Sequence, residues 1–300
     1  MLTLVRSVDD LADETVDLLL GRARAFEAGA APVERGSPRI VGLVFFETSL
    51  RTRLGFAAAA ARIGARSIEV VEVRSSAVSM PERWDDTLRV VAGYSDVVVA
   101  RVGHPLVATA IPAGVDVPVL SGGDVGAEAE HPSQALIDRY AIERAVGPVA
   151  ELGIAIYGDL RMRSVRSLLR LLARTPPRRV VLVTEPALLD GFQVPAELQG
   201  LAEMRAPGHL EGVDVLYVAG IPHGALDEDG RTRLRVTEAT LAELPRQAVV
   251  LSPLPVIDEI DRAVLGDPRM RAFEQSDRAM YVRMALLEHL LVPSQPGEQP

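Results

Sequence analysis

The sequence predicts an α/β protein of two domains, each a mostly parallel sheet flanked by helices. Three observations carry this. Short apolar runs, among them residues 41–46, 96–101 and 153–157, have the length and β-branched content of strands buried on both faces. These runs alternate with helical stretches, the pattern of parallel sheets built from strand–helix units. Gly147-Pro148 then punctuates the chain near its middle, and the alternation restarts after it. With 300 residues, the chain is long enough for two medium domains.

In the first half, residues 7–28 have a helical period. Ser7 is placed to cap that helix, and Asp9 and Asp10 put acids in its first turn. A loop at 30–37 leads to the strand at 41–46. A short turn, Glu47 to Leu50, follows, and Arg51 opens an Ala-rich helix. Next come a strand at 67–73, a loop at 74–83, a helix at 84–94 and a strand at 96–101. A short helix is expected at 105–113 and a strand at 117–120. A Gly- and acid-rich loop at 121–130 ends at His131, just before a helix at 132–146.

In the second half, strands are expected at 153–157, 179–184, 214–218 and 248–251. Helices are expected at 164–174 and 237–244, with a short element at 195–200. Pro253-Leu254-Pro255 cannot lie inside a helix. The last helix is read at 277–291, and the tail SQPGEQP is expected to be disordered.

Composition removes several chemistries. The net charge is −9, which argues against general nucleic-acid binding while leaving room for a local basic pocket. Without cysteine there are no disulfides, thiolate metal sites or cysteine nucleophiles. All 32 basic residues are arginine, so no lysine can act as a base or form a Schiff base. No apolar run reaches the roughly 20 residues of a membrane span. The first residues turn acidic too soon for a signal peptide. A cytoplasmic protein with no metal and no cofactor is expected.

Ligands of open α/β sheets bind beyond the carboxyl ends of strands. The polar residues that follow strands are therefore the candidates: Ser49, Arg51 and Thr52; Arg101; Asp159, Arg161 and Arg163; Gly220 to His223; and Pro253 to Pro255. The turn before Arg51 is a ready anion site. Free N–H groups and aligned peptide dipoles at a helix start favour a phosphate, and Arg51 and Arg53 add charge-assisted donors. The competing reading is a surface helix with basic residues near its start. Likewise Arg101 could be a solvated strand end, and His131 a turn residue before proline.

Four stretches together resemble the aspartate and ornithine carbamoyltransferase family. FFETSLRTRLGF is similar to its phosphate-binding FFEPSTRTR, HPSQALID to HPTQALLD, and LSPLPVIDEI to HPLPRVDEI. YVRMALLEHLL resembles the final helix of the aspartate branch. The resemblance spans about Ser7 to Leu291. It implies a carbamoyl-phosphate domain at 1–146, an acceptor domain at 147–276 and a C-terminal helix at 277–292 that returns to the first domain, before the tail at 293–300. It also implies a homotrimer with shared active sites.

By the same resemblance, Ser49, Leu50, Arg51 and Thr52 occupy the phosphate-binding positions. Arg101 contacts carbamoyl phosphate, and His131 and Gln134 hold the carbamoyl carbonyl and amide. The backbone carbonyls of Pro253 and Leu254 meet the carbamoyl amino group. Arg51, Arg101 and His131 are the expected catalytic residues, since preorganised positive donors stabilise the oxyanion and the leaving phosphate.

Several positions depart from the family pattern. Leu50 stands where a threonine is expected. The family's mobile loop brings a serine and an essential lysine from a neighbouring subunit; here Ser76 matches the serine and Met80 the lysine, with Arg83 or Arg74 as substitutes. GDLRMRSVRSL has one residue fewer than its counterpart, and Arg163 matches the arginine that grips the acceptor's α-carboxylate. Gly220 replaces the arginine that reads the second carboxylate, in a loop that continues to His223. Val256 replaces another arginine.

The carbamoyl-phosphate half is thus kept and the acceptor half rebuilt. Losing a buried carboxylate partner would cost on the order of several kcal/mol. The expectation is a carbamoyltransferase acting on an amine or amino acid other than aspartate. The alternatives are a non-catalytic homologue that binds a phosphorylated ligand or serves as a structural subunit, and another acyl-phosphate transfer or ligation on the same fold.

Overall fold

The computed structural model describes residues 4–34, 37–47, 49–71, 83–107, 111–126 and 128–291. The chain divides into two compact units. One comprises Met1–Ser133 and Ala279–Pro300, the other Gln134–Arg278.

The first unit is built on five parallel strands: β1 (Leu4–Val5), β2 (Ile40–Phe45), β3 (Arg66–Val71), β4 (Val97–Arg101) and β5 (Val119–Ser121). Their order is β1-β5-β4-β2-β3. The central strands β2 and β4 are apolar and buried, as their continuous Val/Leu/Ala runs require. At the edge, β3 is half exposed, and its Arg66 and Glu69 discourage pairing with another chain. Helices α1 (Asp13–Glu27), α2 (Leu50–Arg62) and α3 (Trp84–Tyr94) cover this sheet; α4 (Pro132–Ala145) begins at the end of the unit. Leu88 and Val91 of α3 pack on Val44, Val98 and Ala100 of the sheet.

The second unit repeats the scheme with β6 (Gly153–Tyr157), β7 (Arg179–Val183), β8 (Ala202–Met204), β9 (Val215–Val218) and β10 (Val249–Leu251), all parallel. The order is β10-β9-β6-β7-β8. Its helices are α5 (Arg163–Arg174), α6 (Glu228–Arg233), α7 (Glu238–Glu243) and the first turns of α8 (Ala272–Leu291). On α5, Val165, Leu168, Leu169 and Leu172 form the buried stripe that packs under β6, β7 and β9. The later turns of α8 belong to the first unit, where Glu288 accepts hydrogen bonds from Arg22 of α1 and from the Val33 amide.

In each sheet the strand order reverses beside the first long strand, between β2 and β4 and between β6 and β9. A cleft opens at such a reversal, beyond the strands' carboxyl ends. Phe45 pairs in register with Arg101, and Tyr157 with Val218, so the residues just beyond these pairs line the two reversals.

Some elements differ from expectation. Residues 7–28 form two elements, because Ser7 caps a single 3-10 turn, Val8–Asp10, before α1 begins. Of the short helix expected at 105–113, residues 108–110 lie outside the described residues; just before them the Leu106 amide donates to Asp124. The last helix starts five residues early. The strands β1 and β8 and the helix α6 are too short to leave a periodic signal. Among the described residues, no helix is long and apolar enough to cross a membrane.

Candidate active site

The corner where β2 passes into α2 collects the positive charge of the first unit. Ser49 stands at the N-cap of α2 with an extended backbone, and its side chain makes no capping bond. The first amides of α2 therefore point into the turn without intrahelical acceptors. Leu50 is 61% exposed, so the residue standing in the threonine position puts an apolar side chain into solvent. Arg51 follows it on the exposed side, whereas Thr52 turns inward and is buried. Arg53 faces Glu69 of β3 at 3.8 Å.

Thr52 leads to the rest of the cluster. Its Oγ1 lies 3.4 Å from Nε2 of His131, whose Nδ1 lies 3.3 Å from the Ser133 hydroxyl. Gly123, at φ 112°, passes between His131 and Arg101. A Cβ there would stand 3.1 Å from His131 Cδ2 and 3.4 Å from Arg101 Nη1, so any side chain would press on both. Arg101 closes β4 and donates from Nε to Glu47 Oε2 at 2.9 Å. The fold thus brings Ser49, Arg51, Thr52, Arg101 and His131 together around one helix start.

One participant was not singled out in the sequence. Arg283 on α8 is buried, and its guanidinium packs 5.6 Å from the centre of the Phe56 ring. A Cβ on Gly55 would clash with Arg283 Nη1, so glycine is what admits that side chain against α2. Among the described residues, Arg283 Nε has no hydrogen-bond partner. Burial first, and then the charge of Arg51, push the Arg283 pKa down to about 10. Arg51 is also depressed, although the residue is solvent-exposed overall: partial desolvation of its guanidinium comes first, then the positive charge of Arg101. A phosphate here would relieve both. The signal for Arg283 was its place in YVRMALLEHLL, a charged residue where the helix otherwise reads apolar.

In the second unit, Gln134 lies in the first turn of α4, and its Nε2 donates to Asp138 Oδ1 at 2.7 Å. Asp138 is fully buried. It also accepts from Tyr217 Oη at 2.8 Å and from Gln275 Nε2 at 2.6 Å. Burial is the larger influence on its pKa, which rises to about 7 despite the opposing hydrogen bonds. The loop after β10 holds Pro253 and Leu254. Leu254 has φ 58°, a conformation that costs a non-glycine residue roughly 1–3 kcal/mol. Its amide is held 3.2 Å from Ser252 Oγ, and the Ser252 amide donates to Gln275 Oε1 at 3.0 Å.

The acceptor candidates surround the reversal between β6 and β9. Arg163 is the first residue of α5, and Gly220 and His223 lie in the loop after β9, with His223 exposed. Arg161 is bound at both ends of its fork to Asp159. Arg231, also not singled out in the sequence, is buried. It donates to both oxygens of Asp258 and to the carbonyls of Ile221 and Pro222, and so braces that loop from below. Ser76 and Met80, the expected loop residues, lie outside the described residues. Arg83 is described and exposed; it pairs with Asp85 two residues on.

Comparison with known proteins fits this layout. A family model described as "Aspartate/ornithine carbamoyltransferase, carbamoyl-P binding domain" matches residues 5–144, and one described as "Aspartate/ornithine carbamoyltransferase, Asp/Orn binding domain" matches residues 150–290. The chain is 36% identical over 302 residues to the aspartate carbamoyltransferase catalytic subunit of Methanoculleus marisnigri, covering 95% of this chain and 98% of that protein. It is 33% identical to that of Methanocorpusculum labreanum, covering 96% and 97%. Among solved structures, aspartate transcarbamoylase from Trypanosoma cruzi in complex with carbamoyl aspartate and phosphate matches with TM-score 0.83 and 30% identity, over 95% of each chain. The catalytic subunit of M. jannaschii aspartate transcarbamoylase matches with TM-score 0.79 and 30% identity, over 97% and 98%.

These relatives overturn one expectation. An acceptor other than aspartate was inferred from single positions, chiefly Gly220 and Val256. Full-length identity of 33–36% to proteins named for aspartate contradicts it. The physical error was to treat one arginine as the whole recognition of a carboxylate. Binding an anion needs positive charge in reach, not a given sequence position. Arg163, the first residue of α5, stands at the same reversal, so position 220 is not its sole source of positive charge.

Proposed function

The chain belongs to the aspartate/ornithine carbamoyltransferase family, and from that premise we propose that it transfers the carbamoyl group of carbamoyl phosphate to the amino group of aspartate. The observation that carries the proposal is the cluster at the start of α2. Arg51, Thr52, Arg101 and His131 meet there, and Arg51 and Arg283 are both depressed in pKa by burial and by neighbouring arginines. Such a corner suits a phosphate dianion.

The chemistry follows from the residue types. The α2 amides, Ser49, Arg51 and Thr52 hold the phosphate. His131 and Arg101 donate to the carbamoyl oxygen as it gains charge. Gln134 and the carbonyls of Pro253 and Leu254 take the carbamoyl N–H groups. The acceptor amine forms a C–N bond to the carbonyl carbon, the C–O bond to phosphate breaks, and the departing phosphate takes the amine proton. Arg163 holds the acceptor's α-carboxylate, and the loop from Gly220 to His223 lies against its side chain. The family resemblance further supports a homotrimer and a cytoplasmic setting, the first of which light scattering measures.

The test mixes purified protein, carbamoyl phosphate and aspartate, with a panel of other amines alongside, and follows phosphate release and product mass. Aspartate-dependent release with a product heavier by one carbamoyl group is the expected result. Binding of carbamoyl phosphate with no turnover of aspartate would sink the proposal.

A further inference from the structure

Asp138 is a fully buried carboxylate of the second unit to which the transfer chemistry assigns no step. Asp138, one helical turn after Gln134, receives three side-chain donors: Gln134 and Gln275 on Oδ1, and Tyr217 on Oδ2. The Oδ1 atom can only accept while it is unprotonated, so each glutamine must turn its NH2 end toward it. Gln275 verifies this orientation at its other end, where its carbonyl oxygen accepts the Ser252 amide. Gln134 has its NH2 end held in the same way, and this directs its oxygen away from Asp138. An outward amide oxygen accepts N–H donors, and the carbamoyl amino group is such a donor.

The second arm runs through the backbone. Gln275 holds Ser252, and Ser252 Oγ holds the amide of Leu254 at its unusual φ of 58°. One buried carboxylate therefore orients a side-chain acceptor on α4 and fixes the loop after β10 that carries the carbonyls of Pro253 and Leu254.

We propose that Asp138 is the positioning residue for the carbamoyl amino group, setting both the Gln134 amide and the 252–254 backbone that receive it. The proposal rests on the transfer reading given above. It differs from the phosphate site in what it controls: the carbamoyl end of the substrate, not the phosphate end.

The experiment compares the full-length parent with Asp138→Ala, Asp138→Asn and Gln275→Leu. Steady-state kinetics use carbamoyl phosphate and aspartate, and calorimetry uses carbamoyl phosphate and inorganic phosphate separately. Asp138→Ala is expected to raise KM for carbamoyl phosphate and lower kcat, by about tenfold each, with inorganic phosphate affinity within about twofold of the parent. Asp138→Asn keeps an acceptor oxygen in the same place and is expected to recover most of that loss. Kinetics of Asp138→Ala equal to the parent would overturn the proposal. So would an equal loss of affinity for carbamoyl phosphate and for inorganic phosphate, or an Asn variant as impaired as the Ala variant.

If Asp138→Ala does not fold, Gln275→Leu cuts the loop arm alone. It should raise KM for carbamoyl phosphate with phosphate binding unchanged, and an unchanged KM counts against the proposal. If the parent turns over no acceptor, the transfer reading fails on its own and calorimetry still decides. Loss of the preference for carbamoyl phosphate over phosphate in Asp138→Ala supports the positioning role, and retention of that preference refutes it. A parent that binds neither ligand removes both readings.

Discussion

The two units both gather arginines near the strand ends where the sheet order reverses, some directly after strands and others, Arg231, Arg233 and Arg283, from helices, but the surroundings shift their charge in opposite directions. In the second unit, Arg161 is bound to Asp159, Arg231 to Asp258 and Arg233 to Glu185, and the hydrogen bonds they donate to these carboxylates raise all three guanidinium pKa values. In the first unit, Arg51 and Arg283 are lowered, by burial first and then by another arginine. In the same corner Arg101 pairs with Glu47, and Arg53 lies 3.8 Å from Glu69. The directions of the shifts are what differ: at the start of α2 arginines depress one another, while the named ion pairs of the second unit hold their guanidinium groups charged. On the function proposed above, a phosphate would relieve the first unit's corner directly, and the acceptor would meet a loop that Arg231 holds through the carbonyls of Ile221 and Pro222.

The largest expected effect tests the first half of that contrast. Arg51→Ala should weaken carbamoyl phosphate and inorganic phosphate binding together, by about a hundredfold or more, as loss of a charged phosphate ligand does. Unchanged affinity by calorimetry would refute the site assignment. Arg283→Met should separate affinity from stability. Replacing an uncompensated buried charge with an apolar side chain is expected to leave the ligand-free protein as stable, or about 1–2 kcal/mol more so, by urea unfolding. The same variant should bind phosphate about tenfold more weakly. A strongly destabilised variant would mean that Arg283 has compensation in the fold.

Arg231→Met tests the other half. It leaves Asp258 and two loop carbonyls without their donor, at about 1–2 kcal/mol once the partial exposure of Asp258 is allowed for. The kinetic result should be a raised KM for aspartate with phosphate affinity unchanged; a parallel loss of phosphate binding would erase the distinction between the regions.

A pH series gives a smaller effect with a definite sign. Asp138 binds its proton more tightly in the fold, with a pKa of about 7, than in the unfolded chain. Its contribution to stability is fully present below about pH 4 and is lost as the pH rises through 7. That slope should be absent from Asp138→Asn, so the difference in stability between parent and variant should carry it. The smallest effect is predicted for Arg233→Ala, whose guanidinium is more than half exposed where it pairs with Glu185. Its urea midpoint should not move measurably.

Much of this was legible in the chain. The strand–helix alternation and the turn at Ser49 to Thr52 are local signals, and most of the folded elements fall within a few residues of them; the compact units divide at Ser133, where α4 begins, rather than at the Gly147-Pro148 punctuation. The short helix expected at 105–113 has its centre, 108–110, outside the described residues, and before it the Leu106 amide donates to Asp124. The acceptor expectation failed because it rested on local positions alone. Gly220 shows what is missing at one position and says nothing of Arg231, which reaches the same loop from α6.

By itself, the sequence determined the two parallel sheets, the positions of their strand ends and the family motifs, because each depends on residues that are neighbours in the chain. Only the tertiary structure decided the electrostatics. It placed Arg283 against Gly55 and Arg51, and it joined Asp138 to Gln275 across 137 residues of chain. A buried charge takes its energy from whatever surrounds it, and those surroundings exist only once distant segments have packed.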